Sequence, residues 1–239
     1  MEPISRAWIA EFITTFCLIF IGAGAVVMAA NDLSGAGLVA VALAHGIALA
    51  VLVSITAQIS GGHVNPAVTI SLWVTGKVES TRAMCYIAAQ MAGAVFGALA
   101  LSLVVPKTLW EEAMLGTPQL NRVLGVGAMQ GVATEAILTF FLVFAVFGTA
   151  VDPRGAFSKL AGFSIGLVLT FDILMGGPMT GAAMNPARWF GPAIVSGTWS
   201  DWWIYLIGPV AGGVAAALVY WAAFLRRKED ELALLERAG

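Results

Sequence analysis

Two short segments of the chain repeat the same three residues in a similar setting, and only one of them adds an arginine. The first reads SGGHVNPAV from Ser60, and the second reads TGAAMNPAR from Thr180. Proline fits the first position of a helix because its missing N–H would have no partner there, and the asparagine before it can cap the helix with its side-chain oxygen. The two helix starts could then direct positive dipole ends and amide donors at a small ligand that accepts hydrogen bonds. The residues concerned are Asn65, Pro66, Ala67, Asn185, Pro186 and Ala187.

The composition assigns these segments to a membrane protein. Hydrophobic residues fill 59% of the 239 positions and charged residues only 11%, whereas about a quarter of the residues of a soluble domain are charged. A membrane span needs about 20 mostly apolar residues, and the runs that meet this length are 7–29, 37–59, 83–105, 127–150, 159–176 and 202–225. The first run contains Glu11 and no small-residue cleavage site follows it, so we expect a span there and no cleaved targeting segment.

The basic residues predict the orientation of the chain. With the N-terminus in the cytoplasm, nine of them fall on the cytoplasmic side, and only Lys107 and Arg122 fall outside. This bias predicts that both termini are cytoplasmic. The nine are Arg6, Lys77, Arg82, Arg154, Lys159, Arg226, Arg227, Lys228 and Arg237. Basic residues are too scattered for a nucleic-acid surface, and Cys17 and Cys85 lack the spacing of metal ligands, so we expect no nucleic acid, metal or cofactor.

Sliding the chain against itself by about 120 residues reveals two related halves. AEFITTFCLIF from Ala10 aligns with TEAILTFFLVF from Thr134, and Gly93 corresponds to Gly212. Each half carries three spans, an odd number, so the second half must enter the membrane from the opposite side. We therefore expect a single channel domain over residues 1–239, with inverted repeats at about 1–110 and 125–228.

Each NPA segment leads into about ten apolar residues, which are too few to cross a bilayer. Inverted symmetry would bring the two resulting half-helices together, start to start, at the middle of the membrane. The preceding residues, 61–64 and 181–184, cannot pair their carbonyls within a helix, and such backbone is tolerated at that depth only inside protein or along a water-filled cavity. Donors at the centre, carbonyl acceptors leading to it and apolar walls predict a pore for a small neutral molecule. Its positive centre would repel cations and protons.

Two NPA triplets in matching frames of an inverted six-span repeat are a specific signal, and over nearly its full length the chain resembles the aquaporin, or major intrinsic protein, family. The resemblance implies an all-α membrane protein of six transmembrane helices plus two re-entrant half-helices, with one pore per subunit and a homotetramer in the lipid bilayer. It also implies that Glu11 and Glu135 brace the half-helix loops through backbone amides. His63 matches a frequent histidine near the cytoplasmic vestibule, where it either lines the path or fixes the loop.

The family also has a four-residue constriction outside the NPA centre, and the resemblance maps this selectivity filter onto His45, Ile173, Ala182 and Arg188. A histidine on the second span together with Ile173 is similar to the plant tonoplast intrinsic proteins, several of which conduct ammonia and urea as well as water. Small Ala182 implies room for ammonia, and the charge of Arg188 implies rejection of ions. The expected function is a passive channel for water, and for small neutral solutes such as ammonia, that excludes protons and ions. Its partners would be those solutes and the lipid bilayer.

Three other functions are compatible with parts of the sequence. A glycerol and urea facilitator of low water selectivity is the main alternative, although Trp189 follows the arginine where glycerol channels have aspartate, and no aromatic residue occupies a matched filter position. GFSIG, from Gly162 to Gly166, matches the nucleophile pattern of a serine hydrolase, but it lies in an apolar helix, where its glycines favour helix packing. An ion-coupled transporter would need a midplane ion site, which the intramembrane acids do not obviously form. We therefore expect a channel and not an enzyme.

Asp172, beside the filter residue Ile173, lies outside the family pattern. One hypothesis pairs it with a donor of the filter or a loop and so adjusts Arg188; the alternative is a carboxylate capped by loop amides or exposed at the outer vestibule.

For location, the cell membrane is expected, with a vacuolar-type membrane as the alternative. The tail RRKEDELALLERAG, from Arg226, is read as a solvated end, with a short cytoplasmic helix as the second interpretation.

Overall fold

The computed structural model describes residues 4–33, 35–155 and 160–226. In these residues all regular secondary structure is helical. The helices are α1 (Ile4–Ala30), α2 (Gly37–Thr56), α3 (Pro66–Val74), α4 (Ser80–Val104), α5 (Lys107–Glu112), α6 (Ala128–Val146), α7 (Ala161–Thr180), α8 (Pro186–Ser196) and α9 (Ile204–Tyr220). π-helical turns at Phe147–Val151 and Trp221–Leu225 extend α6 and α9, and a 3-10 turn, Met114–Gly116, follows α5.

Six of these helices, α1, α2, α4, α6, α7 and α9, are long and apolar enough to cross a membrane. They confirm the six predicted spans, with boundaries that differ by up to four residues. The largest difference is at α7, which continues through Pro178 to Thr180 and ends where Gly181 takes a left-handed conformation, with φ of 81°. The chain is an integral membrane protein with six spans.

Glycines allow the spans to pack closely within each half. A methyl group at Gly93 of α4 would lie 2.3 Å from the carbonyl oxygen of Phe12 on α1. Gly212 of α9 has the equivalent place, because a methyl group there would collide with the carbonyl oxygen of Ala136 on α6. The first and third spans of each half are therefore in close contact at equivalent glycines.

The half-helices α3 and α8 interlock the two halves. They contain 9 and 11 residues, and at about 1.5 Å per residue neither can cross a bilayer. Helix α3 packs mainly on α9 of the other half, and α8 mainly on α4. Each half thus encloses the half-helix of the other, which brings the two starts together inside the bundle.

A polar contact joins the segment that follows α6 to the end of α9. Asp152 accepts hydrogen bonds from the side chain of Arg154 and from the Tyr220 hydroxyl, the latter at 3.0 Å. The hydrogen bond from Arg154 lowers the pKa of the Asp152 carboxyl below its usual range. The predictions for Lys159, Arg227, Lys228, Arg237 and the tail helix lie outside the described residues.

Candidate functional site: a pore between the half-helices

The two asparagines cap their own helices and also bind the opposite half. Asn65 Oδ1 accepts the backbone N–H of Ala67 at 2.8 Å, and Asn185 Oδ1 accepts that of Ala187 at 2.9 Å. Asn65 Nδ2 donates to the carbonyl oxygen of Met184 at 2.8 Å, while Asn185 Nδ2 donates to that of Val64 at 3.1 Å. One N–H of each amide therefore holds the halves together, which leaves the other N–H for a molecule in the cavity that both residues line.

Glu11 of α1 holds the chain that leads into α3. Its Oε1 accepts the Ser60 hydroxyl at 2.6 Å and the backbone N–H of His63 at 2.9 Å. Its Oε2 accepts the backbone N–H of Val64 at 2.7 Å and the Gln90 amide at 2.8 Å. The carboxylate is completely buried, and these four donors replace the water that it loses.

Glu135 of α6 holds the chain that leads into α8 in the same way. It accepts the Thr180 hydroxyl at 2.6 Å and the backbone N–H groups of Ala183 and Met184 at 3.0 and 2.7 Å. Met184 has φ of 51°, and Val64 in the first half has φ of 57°. This left-handed region is costly for a β-branched residue such as Val64. The carboxylate contacts therefore hold the backbone in a conformation that the chain would not adopt unaided. In that conformation the carbonyl oxygens of Val64 and Met184 accept the hydrogen bonds from the asparagine amides.

The cavity that passes these residues has a volume of about 340 Å³. It begins at Lys77, Val78 and Val151, passes His63 and the two asparagines, and reaches Arg188. Its walls are mainly apolar, with Leu18, Leu49, Leu142, Val146, Ile165 and Leu169 among them.

A second cavity of about 290 Å³, lined by Pro118, Gln119 and Pro178, lies beyond Arg188, which lines both. Arg188 thus lies at the boundary between the two cavities.

Arg188 is held by acceptors from two elements outside its own helix. Its Nε donates to His45 Nε2 at 3.0 Å, and its Nη1 donates to the carbonyl oxygen of Gly116 at 2.9 Å. His45 Nδ1 lies 2.9 Å from the Val41 carbonyl oxygen, which can only accept, so Nδ1 carries the proton and Nε2 is free to accept from the arginine. Gly116 was not among the predicted site residues, because its carbonyl is brought to Arg188 only by the path of the loop after α5, where Leu115 and Gly116 both have positive φ.

The other predicted filter residues differ in position. Ala182 lines the cavity together with His45 and Arg188. Ile173 is 2% exposed and packed, and it is not among the described residues that line the two cavities. Its contribution to the filter stays a prediction.

His63 both lines the cavity and belongs to a hydrogen-bond network. Its Nδ1 lies 3.1 Å from the Thr69 hydroxyl, which accepts the Gln90 amide at 3.0 Å. The same Gln90 amide nitrogen donates to Glu11. The network thus connects a histidine of the pore wall to the carboxylate that holds the loop.

The surroundings of Asp172 contradict both predictions made for it from the sequence. It is 1% exposed, and within the described residues neither carboxylate oxygen has a hydrogen-bond partner. Arg188 instead contacts His45 and Gly116. The pairing hypothesis is therefore wrong, and so are capping by loop amides and exposure at the vestibule. The reason is helical spacing, since Asp172 shares a buried face of α7 with Leu169 and Gly176.

The GFSIG segment packs as a helix contact. A methyl group at Gly162 would lie 2.3 Å from Ser54 Oγ, and one at Gly166 would lie 2.3 Å from the Gly46 carbonyl oxygen, both on α2. His45 forms hydrogen bonds with Val41 and Arg188, and His63 forms one with Thr69, so neither histidine pairs with Ser164. Among the described residues, no three His, Cys, Asp or Glu side chains converge as a metal site.

Six spans that surround two half-helices meeting at crossed asparagines define a membrane channel. A profile of the Major intrinsic protein family matches residues 2–220. Aquaporin TIP4-4 of Zea mays is 46% identical over 232 residues, covering 95% of this chain and 89% of that protein. Aquaporin TIP2-1 of Arabidopsis thaliana is 41% identical, covering 94% and 89%. The aquaglyceroporin of Plasmodium falciparum has a similar structure, with a TM-score of 0.80 and 25% identity over 91% of this chain and 96% of that one.

The chain therefore belongs to the major intrinsic protein family. Its curated relatives are aquaporins, which are channels and not enzymes. The hydrolase alternative is excluded on this ground.

Proposed function

We propose that the chain is a passive channel that conducts water and ammonia and excludes protons and other ions. The observation that carries the proposal is the pair of crossed asparagine amides at the centre of a mainly apolar lumen that ends at a fixed arginine. In this proposal Asn65 and Asn185 form the centre, and His45, Ile173, Ala182 and Arg188 form the filter. Water conduction is further supported by the aquaporin relatives.

The centre favours one orientation of water. Each asparagine keeps one N–H for the lumen, and both donors would bind the oxygen of the same water molecule. That water then has no free lone pair to accept a proton from a neighbour, so a proton wire is interrupted there. The positive ends of α3 and α8 meet at the same place and add a barrier to cations.

The outer end would set the size and charge of the solute. Arg188 uses Nε and Nη1 on His45 and Gly116, and its other N–H groups can donate to a passing oxygen or nitrogen. Ammonia offers a lone pair to these donors, and Ala182 leaves space beside them. A glycerol and urea facilitator remains the alternative, and the likeness to an aquaglyceroporin is a reason to include both solutes in any test.

Assembly and location are part of the same proposal. Residues 1–239 would form one channel domain with both termini in the cytoplasm, and four copies would associate in the bilayer. Large apolar side chains on the outer faces, such as Ile13, Ile55 and Phe163, are more than half exposed and suit contact with lipid or another copy. The cell membrane is the expected location, with a vacuolar-type membrane as the alternative, and a fluorescent fusion in the native cells would distinguish them.

The functional test is stopped-flow permeability of reconstituted vesicles to water, ammonia, urea and glycerol, with His45→Phe beside the parent chain. The expected result is fast flow of water and ammonia in the parent and selective loss of ammonia in the variant. Fast glycerol and urea flow with little water flow would favour the facilitator instead. Flow equal to that of empty vesicles for every solute would reject the channel function.

A further inference from the structure

Gly22 of α1 touches the imidazole ring of His45. A methyl group at this position would lie 2.4 Å from His45 Nε2, 2.5 Å from Cδ2 and 2.9 Å from Cε1. Carbon atoms in contact stay about 3.5 Å or more apart, so any side chain larger than hydrogen would force the ring to move by about 1 Å. The ring therefore occupies the space that a side chain at residue 22 would fill.

The same ring is fixed on two other sides. His45 Nδ1 is bonded to the Val41 carbonyl oxygen at 2.9 Å, and Nε2 accepts Arg188 Nε at 3.0 Å. The ring is 4% exposed and lines the cavity at the level of Arg188 and Ala182. A side chain at residue 22 would therefore displace the His45 ring where it borders the lumen. The displacement would also strain the hydrogen bond between His45 Nε2 and Arg188 Nε.

The other half of the molecule indicates that α1 itself does not need glycine here. In the alignment that pairs Glu11 with Glu135, Gly22 corresponds to Val146 of α6. Val146 is a regular helical residue and lines the cavity. For the second span the alignment is the one that pairs Asn65 with Asn185, and there His45 corresponds to Ile165, so the second half has no histidine at this position. Glycine thus occurs in the half where an imidazole must fit, and valine in the half where none does.

We propose that Gly22 is a specificity-determining positioning residue, which admits the His45 ring to the wall of the lumen and thereby sets the width of the constriction beside Arg188. The inference rests on the proposed function, because it names a residue that controls solute size in the same pore. Gly22 itself touches no solute. Its effect passes through His45 alone.

The permeability test compares Gly22→Ala with Gly24→Ala, the same substitution on the same helix. A methyl group at Gly24 would meet only a terminal methyl of Leu101, at 3.2 Å, so this control should match the parent. In Gly22→Ala the displaced ring should narrow the lumen, with losses that increase from water to ammonia to urea. We expect ammonia flow to fall about fivefold, a barrier increase of about 1 kcal/mol. Unchanged flow of all three solutes would overturn the proposal.

A double variant separates positioning from a general structural defect. In a His45→Ala background no ring remains to be displaced, so adding Gly22→Ala should change no solute flow further. If Gly22→Ala alone does not fold, the double variant should fold, because the collision is absent. A double variant that loses flow relative to His45→Ala, or that fails to fold, would contradict the inference.

A spectroscopic test does not depend on conduction. The chain has two histidines, so nitrogen-15 NMR of histidine-labelled protein in lipid gives few signals, and His63→Asn assigns them. Gly22→Ala should shift the His45 Nε2 signal as its hydrogen bond from Arg188 weakens, while Gly24→Ala should leave it in place. An unchanged His45 signal in Gly22→Ala would overturn the inference. A parent chain that fails to conduct would instead refute the proposed function, and the NMR result would still decide the role of Gly22.

Discussion

The two halves of the chain build the same support and then use it differently. In both halves a buried glutamate accepts two backbone N–H groups before a half-helix, and an asparagine caps that half-helix and bonds to the other half. The third-span residue behind the glutamate differs, because Gln90 corresponds to Pro209. The residue after the NPA triplet also differs, because Arg188 of the second half corresponds to Val68 of the first. The shared contacts hold the backbone that leads into each half-helix. The differences give an additional polar donor, Gln90, to the first half and a charged residue of the lumen wall, Arg188, to the second.

Glu135→Gln is expected to have the largest effect. The two backbone N–H groups bind different oxygens of this carboxylate, so a glutamine must place its NH₂ against one of them. Charged hydrogen bonds of this kind contribute about 1.5–3 kcal/mol each, so we expect a loss of about 3 kcal/mol in the free energy of unfolding. Unfolding in detergent, followed by temperature or denaturant, measures it.

Glu11→Gln should cost a similar amount, since His63 and Val64 also donate to different oxygens. Glu111→Gln is the matched control, because its pair with Lys107 is more than half exposed on both sides and contributes little. A stable Glu135→Gln beside an unstable Glu11→Gln would show that the two supports are not equivalent.

Arg188→Val gives the second half the residue type that the first half has at the corresponding position, Val68. Removing a fixed positive charge from the constriction should raise cation leak about a hundredfold, or ~2.7 kcal/mol of barrier, with water flow maintained. Val68→Arg tests the reverse change. Val68 is buried and lines the lumen, so an arginine there should block water. Ion conductance and water flow are measured on the same vesicles, and equal leak in parent and Arg188→Val would refute the role of the arginine.

Gln90→Leu tests the hydrogen bonds that Gln90 donates beside Glu11, at a position where the second half has Pro209. The Gln90 amide donates to Glu11 at 2.8 Å and to Thr69 at 3.0 Å, and leucine can donate to neither. We expect a loss of about 2 kcal/mol in unfolding free energy. Gln58→Leu serves as the control, since Gln58 is exposed and its amide donates locally, to the Ile55 carbonyl oxygen three residues before it. Equal stability of the two variants would mean that the network contributes nothing.

Asp172→Leu should have the smallest effect, and a favourable one. Asp172 corresponds to Leu52 in the first half, and in the described residues its carboxylate has no hydrogen-bond partner. Replacing an unpaired buried polar group with an apolar one should stabilise the protein by about 1 kcal/mol. A lower unfolding temperature than that of the parent would contradict this expectation.

The features that repeat along the chain were predictable from its sequence. The spans follow from apolar length, and the half-helices follow from the Asn-Pro pair, because both depend on neighbouring residues. The acceptors of Arg188 could not be predicted in the same way. The Gly116 carbonyl carries no side-chain signature, and His45 reaches Arg188 across 143 positions. Asp172 was misread because its surroundings depend on the rotation of α7, which an apolar run does not specify.

The most direct test of the account is the temperature dependence of water flow through vesicles that contain the parent chain. A pore between the half-helices predicts flow far above that of empty vesicles, with a weak temperature dependence, because water would exchange hydrogen bonds in the pore instead of dissolving in lipid. Flow at the rate of empty vesicles, with their steep temperature dependence, would contradict the account.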